Sequence, residues 1–397
     1  MSGRLNLMAP EFRANPYGFY AEMRRSPTLT QVDPGGLWVV SRYADVQNVL
    51  KNPQLFSCSG HEAIANPPWL GRSNPFAESI IMMDPPRHTH LRALVNRAFG
   101  PPVLARLEPR IRAYVEQITA ELPAGSPVDF VEAFSLRVPI FVLGELLGVD
   151  GALRSRFKRW SDDIVAIGAT PPDAHELHAR IRASMDEMEQ YLRGVLEERK
   201  RQPREDLVSD LLAANVDGPT LTESELMGFM ILLFVAGLES TVNLLSNSAR
   251  VLADHPDVLA RLRADRSLIP QFVEEVLRYE SPTHALLRRV TAETELSGVR
   301  LEPETTILLL IGSASRDEAL HPNADRFNLD RSGQYNLSFG HGIHFCIGAP
   351  LVRLEARLAM EALLSRFSGM SLAGPAQWNQ SLVARGPLVL PLTLRAA

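Results

Sequence analysis

Apolar residues recur at helical spacing along most of the chain, and the recurrence predicts helices over 16–24, 43–51, 87–99, 102–122, 130–148, 152–168, 173–201, 222–254, 256–265, 269–279 and 348–367. Thr222 stands three residues before Glu225, the spacing of a capping box. The longest apolar run, 226–238, is broken only by Gly228 and Gly237 and bounded by Glu225 and Glu239. It falls short of the roughly 20 residues that span a bilayer, so it reads as a buried core helix. Strand-like segments at 37–41, 286–291, 305–312 and 388–394 are short and far apart, so any sheet is minor and assembled from distant pieces. The expectation is a mainly α protein of the α+β class, one domain over residues 1–397, without internal repeats. Stretches rich in Pro, Gly and Asn at 57–75 and 321–342 are long for plain connections and are expected to serve a site.

Composition narrows the function. Hydrophobic residues at 45% and charged residues at 22% describe an ordinary folded protein. Lys and Arg total 41 against 46 Asp and Glu, and the net charge of −5 argues against nucleic-acid binding by bulk electrostatics. Cys58 and Cys346, the two cysteines, cannot build a disulfide framework, a four-cysteine zinc site or an iron–sulfur cluster. Metal chemistry would therefore use a single thiolate. Residues 1–20 carry Arg4, Glu11 and Arg13 and no apolar stretch of signal length, so the protein is expected to be cytoplasmic, with no membrane partner.

Four segments carry candidate chemistry. Phe339-Gly340-His341-Gly342-Ile343-His344-Phe345-Cys346-Ile347-Gly348 precedes a predicted helix, whose N-terminal N–H groups would stabilise a Cys346 thiolate. Its glycines let the backbone approach a large flat ligand; a buried structural cysteine is the plainer reading of any lone thiol. Ala236-Gly237-Leu238-Glu239-Ser240-Thr241 sets an acid beside a hydroxyl inside the apolar helix, costly unless they meet water or a ligand, or unless Ser back-bonds and Glu reaches the surface. Glu275 and Arg278 share a helix face at i, i+3, as many solvated ion pairs do. In Asp84-Pro85-Pro86-Arg87-His88-Thr89-His90-Leu91-Arg92 the prolines set a helix start, and His88 and Arg92 at i, i+4 are spaced to clamp a carboxylate, or form a surface pair. Cys58, His61 and Cys346 also admit a Cys–His nucleophile, but no signature supplies the third, orienting residue.

The 339–348 loop, with the other segments in order around it, resembles the cytochrome P-450 family of haem-thiolate monooxygenases, soluble bacterial type. The likeness runs from Asn15-Pro16-Tyr17 to Leu388-Val389-Leu390-Pro391. It implies a triangular, mostly helical fold with a small β-rich portion, holding heme b (iron protoporphyrin IX) between the Cys346 loop and the Gly237 helix, with Cys346 as the iron ligand. Phe339 and Gly348 would border the cofactor. His88, Arg92, His344 and Arg288 would bind its propionates, Arg289 being an adjacent competitor for Arg288. Glu239 and Ser240 would manage protons during reduction of O2; Ser240 stands where the family usually has Thr, and Thr241 is the alternative. Glu275, Arg278 and Arg326 would be structural.

The implied reaction is hydroxylation or epoxidation of a lipophilic small molecule: a secondary metabolite, terpenoid, steroid, macrolide or fatty acid. His61, Trp69, Phe76, Phe234, Val235, His284 and Leu286 would contact it. No flavin or cluster motif is visible, so electrons would come from a ferredoxin and an NAD(P)H-dependent ferredoxin reductase, docking near Arg97, Arg106, Arg110 and Arg353. A monomer is expected. A haem sensor or carrier of this fold would consume NAD(P)H without product, and a peroxygenase or isomerase would work without electron partners.

Overall fold

The computed structural model of the chain describes residues 4–149, 153–213, 221–331, 333 and 336–397. Its contacts group into two compact units, one of Met1–Ser57, Arg112–Ser135 and Ser240–Ala397, the other of Cys58–Ile111 and Leu136–Glu239. Helix predominates and the sheets are small, as the periodicity predicts.

In the first unit a six-stranded sheet runs in the order Leu5–Asn6, Thr30–Asp33, Leu37–Val40, Thr306–Leu309, Leu286–Val290, Phe56–Ser57. Leu37–Val40 pairs parallel with Thr306–Leu309, which pairs antiparallel with Leu286–Val290, so strands far apart in sequence are neighbours. The two central strands, Leu37–Val40 and Thr306–Leu309, are apolar but for Thr306, as strands covered on both faces are. On one face Val39 and Leu308 pack with Phe12, Tyr20 and Met23. On the other, Val40, Ile307 and Leu309 meet Val46, Val49 and Leu50 of the helix Tyr43–Lys51. This sheet sets Arg288 opposite Ile307 and Arg289 opposite Thr306. A second sheet joins Phe367–Leu372, Pro391–Ala396 and Pro127–Asp129.

The second unit contains the helices Arg87–Ala98, Arg137–Leu147, Arg154–Ala166, His175–Arg201 and Leu207–Ala213. Asp163, buried on Arg154–Ala166, accepts from Arg180 Nη2 at 2.7 Å and Ser184 Oγ at 2.6 Å, tying that helix to His175–Arg201. The helix Glu223–Asp254 begins in this unit and continues into the other. It is long and apolar enough to cross a membrane by length and composition, yet 72% of its most apolar window is buried in protein, as a core helix requires. The capping box forms: Thr222 N–H donates to Glu225 Oε2 at 2.9 Å and Glu225 N–H to Thr222 Oγ1 at 3.2 Å.

Two expected elements are divided. The helix expected over 130–148 becomes a π turn, Val131–Ser135, and the helix Arg137–Leu147. Asp129 Oδ1 accepts from both Val131 N–H (3.1 Å) and Leu390 N–H (3.0 Å), which ends one strand and starts the turn. The strand expected over 388–394 is split at Leu390 into Pro387–Val389 and Pro391–Ala396, which belong to different sheets.

Candidate active site

The Cys346 loop is closed by its own backbone. Cys346 N–H donates to Phe339 O at 2.8 Å, Gly340 N–H to Leu337 O at 2.8 Å, and Phe345 N–H to Gly342 O at 3.1 Å. Gly340 and Gly342 take φ of 69° and 70°, and a Cβ on Gly342 would lie 2.5 Å from Leu50 O, so this position admits only glycine without a shift. The half-buried thiol sits just before the helix Ala349–Arg366, whose free N–H groups favour a thiolate. A Cβ on Gly348 would stand 3.9 Å from Sγ, ordinary van der Waals contact that would not crowd the sulfur. Cys58, by contrast, is 5% exposed.

The strand Leu286–Val290 separates the two candidate arginines. Arg289 pairs with Glu304, an exposed residue. Arg288 is buried, donates to the Leu287 carbonyl at 2.7 Å, and has no carboxylate partner among the described residues. A buried guanidinium without an anion is costly, so this cation is set for an acidic group that the described residues do not supply. His344, two residues before Cys346, is half-buried.

Glu275 and Arg278 form a buried bidentate pair, with both contacts at 2.7 Å. Arg326, expected to be structural with this pair, meets it through its backbone: its side chain is exposed and its carbonyl accepts from Arg278 at 2.9 Å. The third side chain is that of Arg331, 3.2 Å from Glu275 Oε1. Its distance in sequence from the motif hid it from pattern reading.

In the second unit His88 is 2% exposed. Burial, then the Arg92 cation, hold its pKa below the ordinary histidine value, against the pull of Asp84. Asp84 also accepts from Cys58 N–H at 3.1 Å and Ser59 Oγ at 2.9 Å. Gly237 lies on the Glu223–Asp254 helix, where its Cβ would meet Leu143 at 3.4 Å. Along that helix Ala236 is exposed and Glu239 and Ser240 half-buried, whereas Leu238 and Thr241 are buried. Ser240 thus shares the accessible face of Ala236, four residues earlier, and Thr241 is turned into the packing. Burial, then the nearby Asp162 carboxylate, push Glu239 up to about 7, while Lys158 pulls it down.

The expected substrate contacts divide. Phe234 is fully buried against Phe157, ring centroids 5.0 Å apart, and is core. His284 is 3% exposed, its Nδ1 3.0 Å from Tyr20 Oη and its ring against Tyr17 and Tyr20, so it too is core rather than a contact. Trp69 lies flat on His178 at 4.0 Å. His61 is buried; Phe76, Val235 and Leu286 are half-buried and keep an accessible side. Of the expected docking arginines, Arg110 pairs with Glu145 and Arg353 with Glu274; Arg106 is half-buried, and the side chain of Arg97 lies outside the described residues.

One acid escaped the sequence reading. Glu355, on the helix after Cys346, is 3% exposed, its Oε2 has no hydrogen-bond partner among the described residues, and burial pushes its pKa up to about 8. Leu351, Leu354, Glu355 and Leu358 follow i, i+3, i+4, i+7 spacing, the signal that could have found it.

Within the first unit, a thiol before a helix and a buried arginine with no carboxylate partner among the described residues suit the iron and an acidic side group of a porphyrin, so the residues present there fit haem. Comparison with known proteins agrees. Residues 15–374 match the model of the family described as Cytochrome P450. The structure of cytochrome P450 CYP109Q5 from Chondromyces apiculatus is similar, with a TM-score of 0.89 and 40% identity, over 99% of this chain and 98% of that one. CYP109E1 from Bacillus megaterium in complex with testosterone superposes with a TM-score of 0.87 at 33% identity, over 97% of this chain and 99% of that one. The Vitamin D(3) 25-hydroxylase of Pseudonocardia autotrophica is 35% identical over 396 residues, 98% of this chain and 96% of that protein.

Proposed function

This chain belongs to the cytochrome P450 family as a haem monooxygenase, and from that premise we propose that Cys346 is its iron ligand and that it hydroxylates a lipophilic small molecule of the steroid or secosteroid type. The observation that carries the ligand assignment is the closed glycine turn that presents the Cys346 thiol at a helix N-terminus. Arg288 and His344, with His88 and Arg92, bind the propionates, and Phe339 and Gly348 border the ring. Haem held there supplies reductive activation of O2 and insertion of one oxygen atom into a C–H bond or alkene, with the thiolate as electron donor to the iron.

The chain's own residues handle the protons. Glu239, with a pKa of about 7, both holds and releases a proton near neutral pH. Ser240 lies on the accessible face beside it and offers the hydroxyl that Thr241, buried, does not. Serine lacks the methyl that stiffens threonine, so Ser240 samples more rotamers and holds the proton path less tightly. Electrons come from a separate ferredoxin and its NAD(P)H-dependent reductase, and the protein works as a cytoplasmic monomer.

The substrate class rests on the relatives, one seen with testosterone and one named for vitamin D3, and on the accessible apolar sides of Phe76, Val235 and Leu286. Turnover of testosterone and vitamin D3 with a surrogate ferredoxin and reductase tests it. Oxygenated product is expected. Consumption of NAD(P)H without product for steroids, macrolides and fatty acids alike would favour a sensor or carrier, and product without electron partners would favour a peroxygenase or isomerase.

A further inference from the structure

Behind the Cys346 loop lies a charge pair that the proposed chemistry does not use. Arg353, on the helix Ala349–Arg366, places its guanidinium carbon 4.4 Å from the centre of the Phe339 ring. It is held there by Glu274, through Nε to Oε1 at 2.5 Å and Nη2 to Oε2 at 3.2 Å. Glu274 is buried on the helix Ile269–Tyr279 and also accepts from Asn336 Nδ2 at 3.2 Å. Asn336 in turn accepts from Ser338 N–H at 3.1 Å, and Ser338 Oγ donates to Leu277 O at 2.6 Å. Phe339, next in the chain, accepts the Cys346 N–H at 2.8 Å. An unbroken set of contacts therefore runs from Glu274 to the backbone of the cysteine.

We propose that Glu274 and Arg353 are positioning residues that hold Phe339 against the Cys346 loop and, as an opposed charge pair, set the reduction potential of the iron bound there. The inference rests on Cys346 being the iron ligand. Two physical effects act together. The planar guanidinium on the ring face fixes the Phe339 ring, and with it the carbonyl that anchors Cys346 N–H. The positive member is the one on the ring, and a cation near a thiolate weakens its donation and eases reduction of the metal. Glu274, one side chain further away, offsets that cation.

Charge and packing predict different signs, which makes the pair testable in the haem-loaded protein by spectroelectrochemical titration. Arg353→Gln leaves the Glu274 carboxylate alone and is expected to lower the reduction potential. Glu274→Gln leaves the Arg353 cation alone and is expected to raise it. Each shift corresponds to about a 3- to 10-fold change in the reduction equilibrium, the size for a charge partly screened by solvent. The double variant returns close to the parent, and Arg353→Lys, which keeps the charge without the planar stack, stays closer to the parent than Arg353→Gln. The ferrous carbon monoxide spectrum of each variant keeps its thiolate band. Potentials that do not move, or that move in the same direction in both single variants, overturn the proposal. A parent protein without the thiolate band overturns the iron-ligand reading beneath it, which separates the two failures.

Discussion

Arg278 grips both carboxylate oxygens of Glu275, Nε to Oε2 and Nη2 to Oε1, each at 2.7 Å, and both side chains are at most 5% exposed. Arg278 also donates to the carbonyls of Ala324 and Arg326, at 2.8 and 2.9 Å, while Glu275 accepts from Asn328 N–H at 2.9 Å. The pair therefore anchors the segment that leads into the Cys346 loop, with each charge fully occupied.

Removing one partner of that pair strands the other. Arg278→Leu is expected to cost about 3–5 kcal/mol, the range for breaking a buried ion pair. Denaturant unfolding measures the loss, and haem content after expression is expected to fall with it.

Arg288 and Arg289 are adjacent and opposite in consequence. Arg288→Ala removes the buried cation without a carboxylate and is expected to weaken haem retention, read as faster transfer of haem to apomyoglobin. Arg289→Ala loses the pair with exposed Glu304, worth about 0–1 kcal/mol, and should retain haem like the parent.

Gly342→Ala tests the loop itself. A methyl there meets Leu50 O at 2.5 Å and forces an L residue to φ 70°. The strain and the clash together are expected to cost about 1–3 kcal/mol and to distort the turn that presents Cys346. Gly18, where a Cβ would meet nothing within 4 Å, is the control, and Gly18→Ala should leave haem content unchanged.

Glu239 gives the activity a pH limb. Its carboxyl, raised from 4.5 to about 7, keeps a proton in the folded protein through the window where an unfolded glutamate has lost it. Its contribution to stability is fully present below 4.5 and is lost as pH rises through about 7. Turnover limited by that proton should fall with a one-proton slope above the same pH, and Glu239→Gln should lower kcat and abolish the limb. A parent profile flat from pH 6 to 9 would contradict the assignment.

How legible the molecule is in its sequence depends on the range of the interaction concerned. The helices 43–51 and 269–279 end at the predicted residues, because their apolar spacing is local. The strand Thr30–Asp33 and the helix Leu207–Ala213 give little local signal and form because distant elements cover them. The Cys346 loop could be read because its demands are local: glycines at 340 and 342, where φ is 69° and 70°, and a cysteine just before a helix stand out in the sequence. Phe234 and His284 are misplaced for the reverse reason: whether a side chain on a core element points to a ligand or to Phe157 or Tyr20 is decided by packing, which a one-dimensional pattern does not carry. Arg331 replaces Arg326 at Glu275 because the turn between them brings the later guanidinium back.

Whether Cys346 binds the haem iron is read from the absorption spectrum of the dithionite-reduced protein under carbon monoxide, for the parent and for Cys346→His. The parent is expected to show the red-shifted Soret band of a thiolate-ligated ferrous carbonyl, and the variant to lose that band. A parent band typical of histidine ligation, or the same thiolate band in Cys346→His, would contradict the assignment of Cys346.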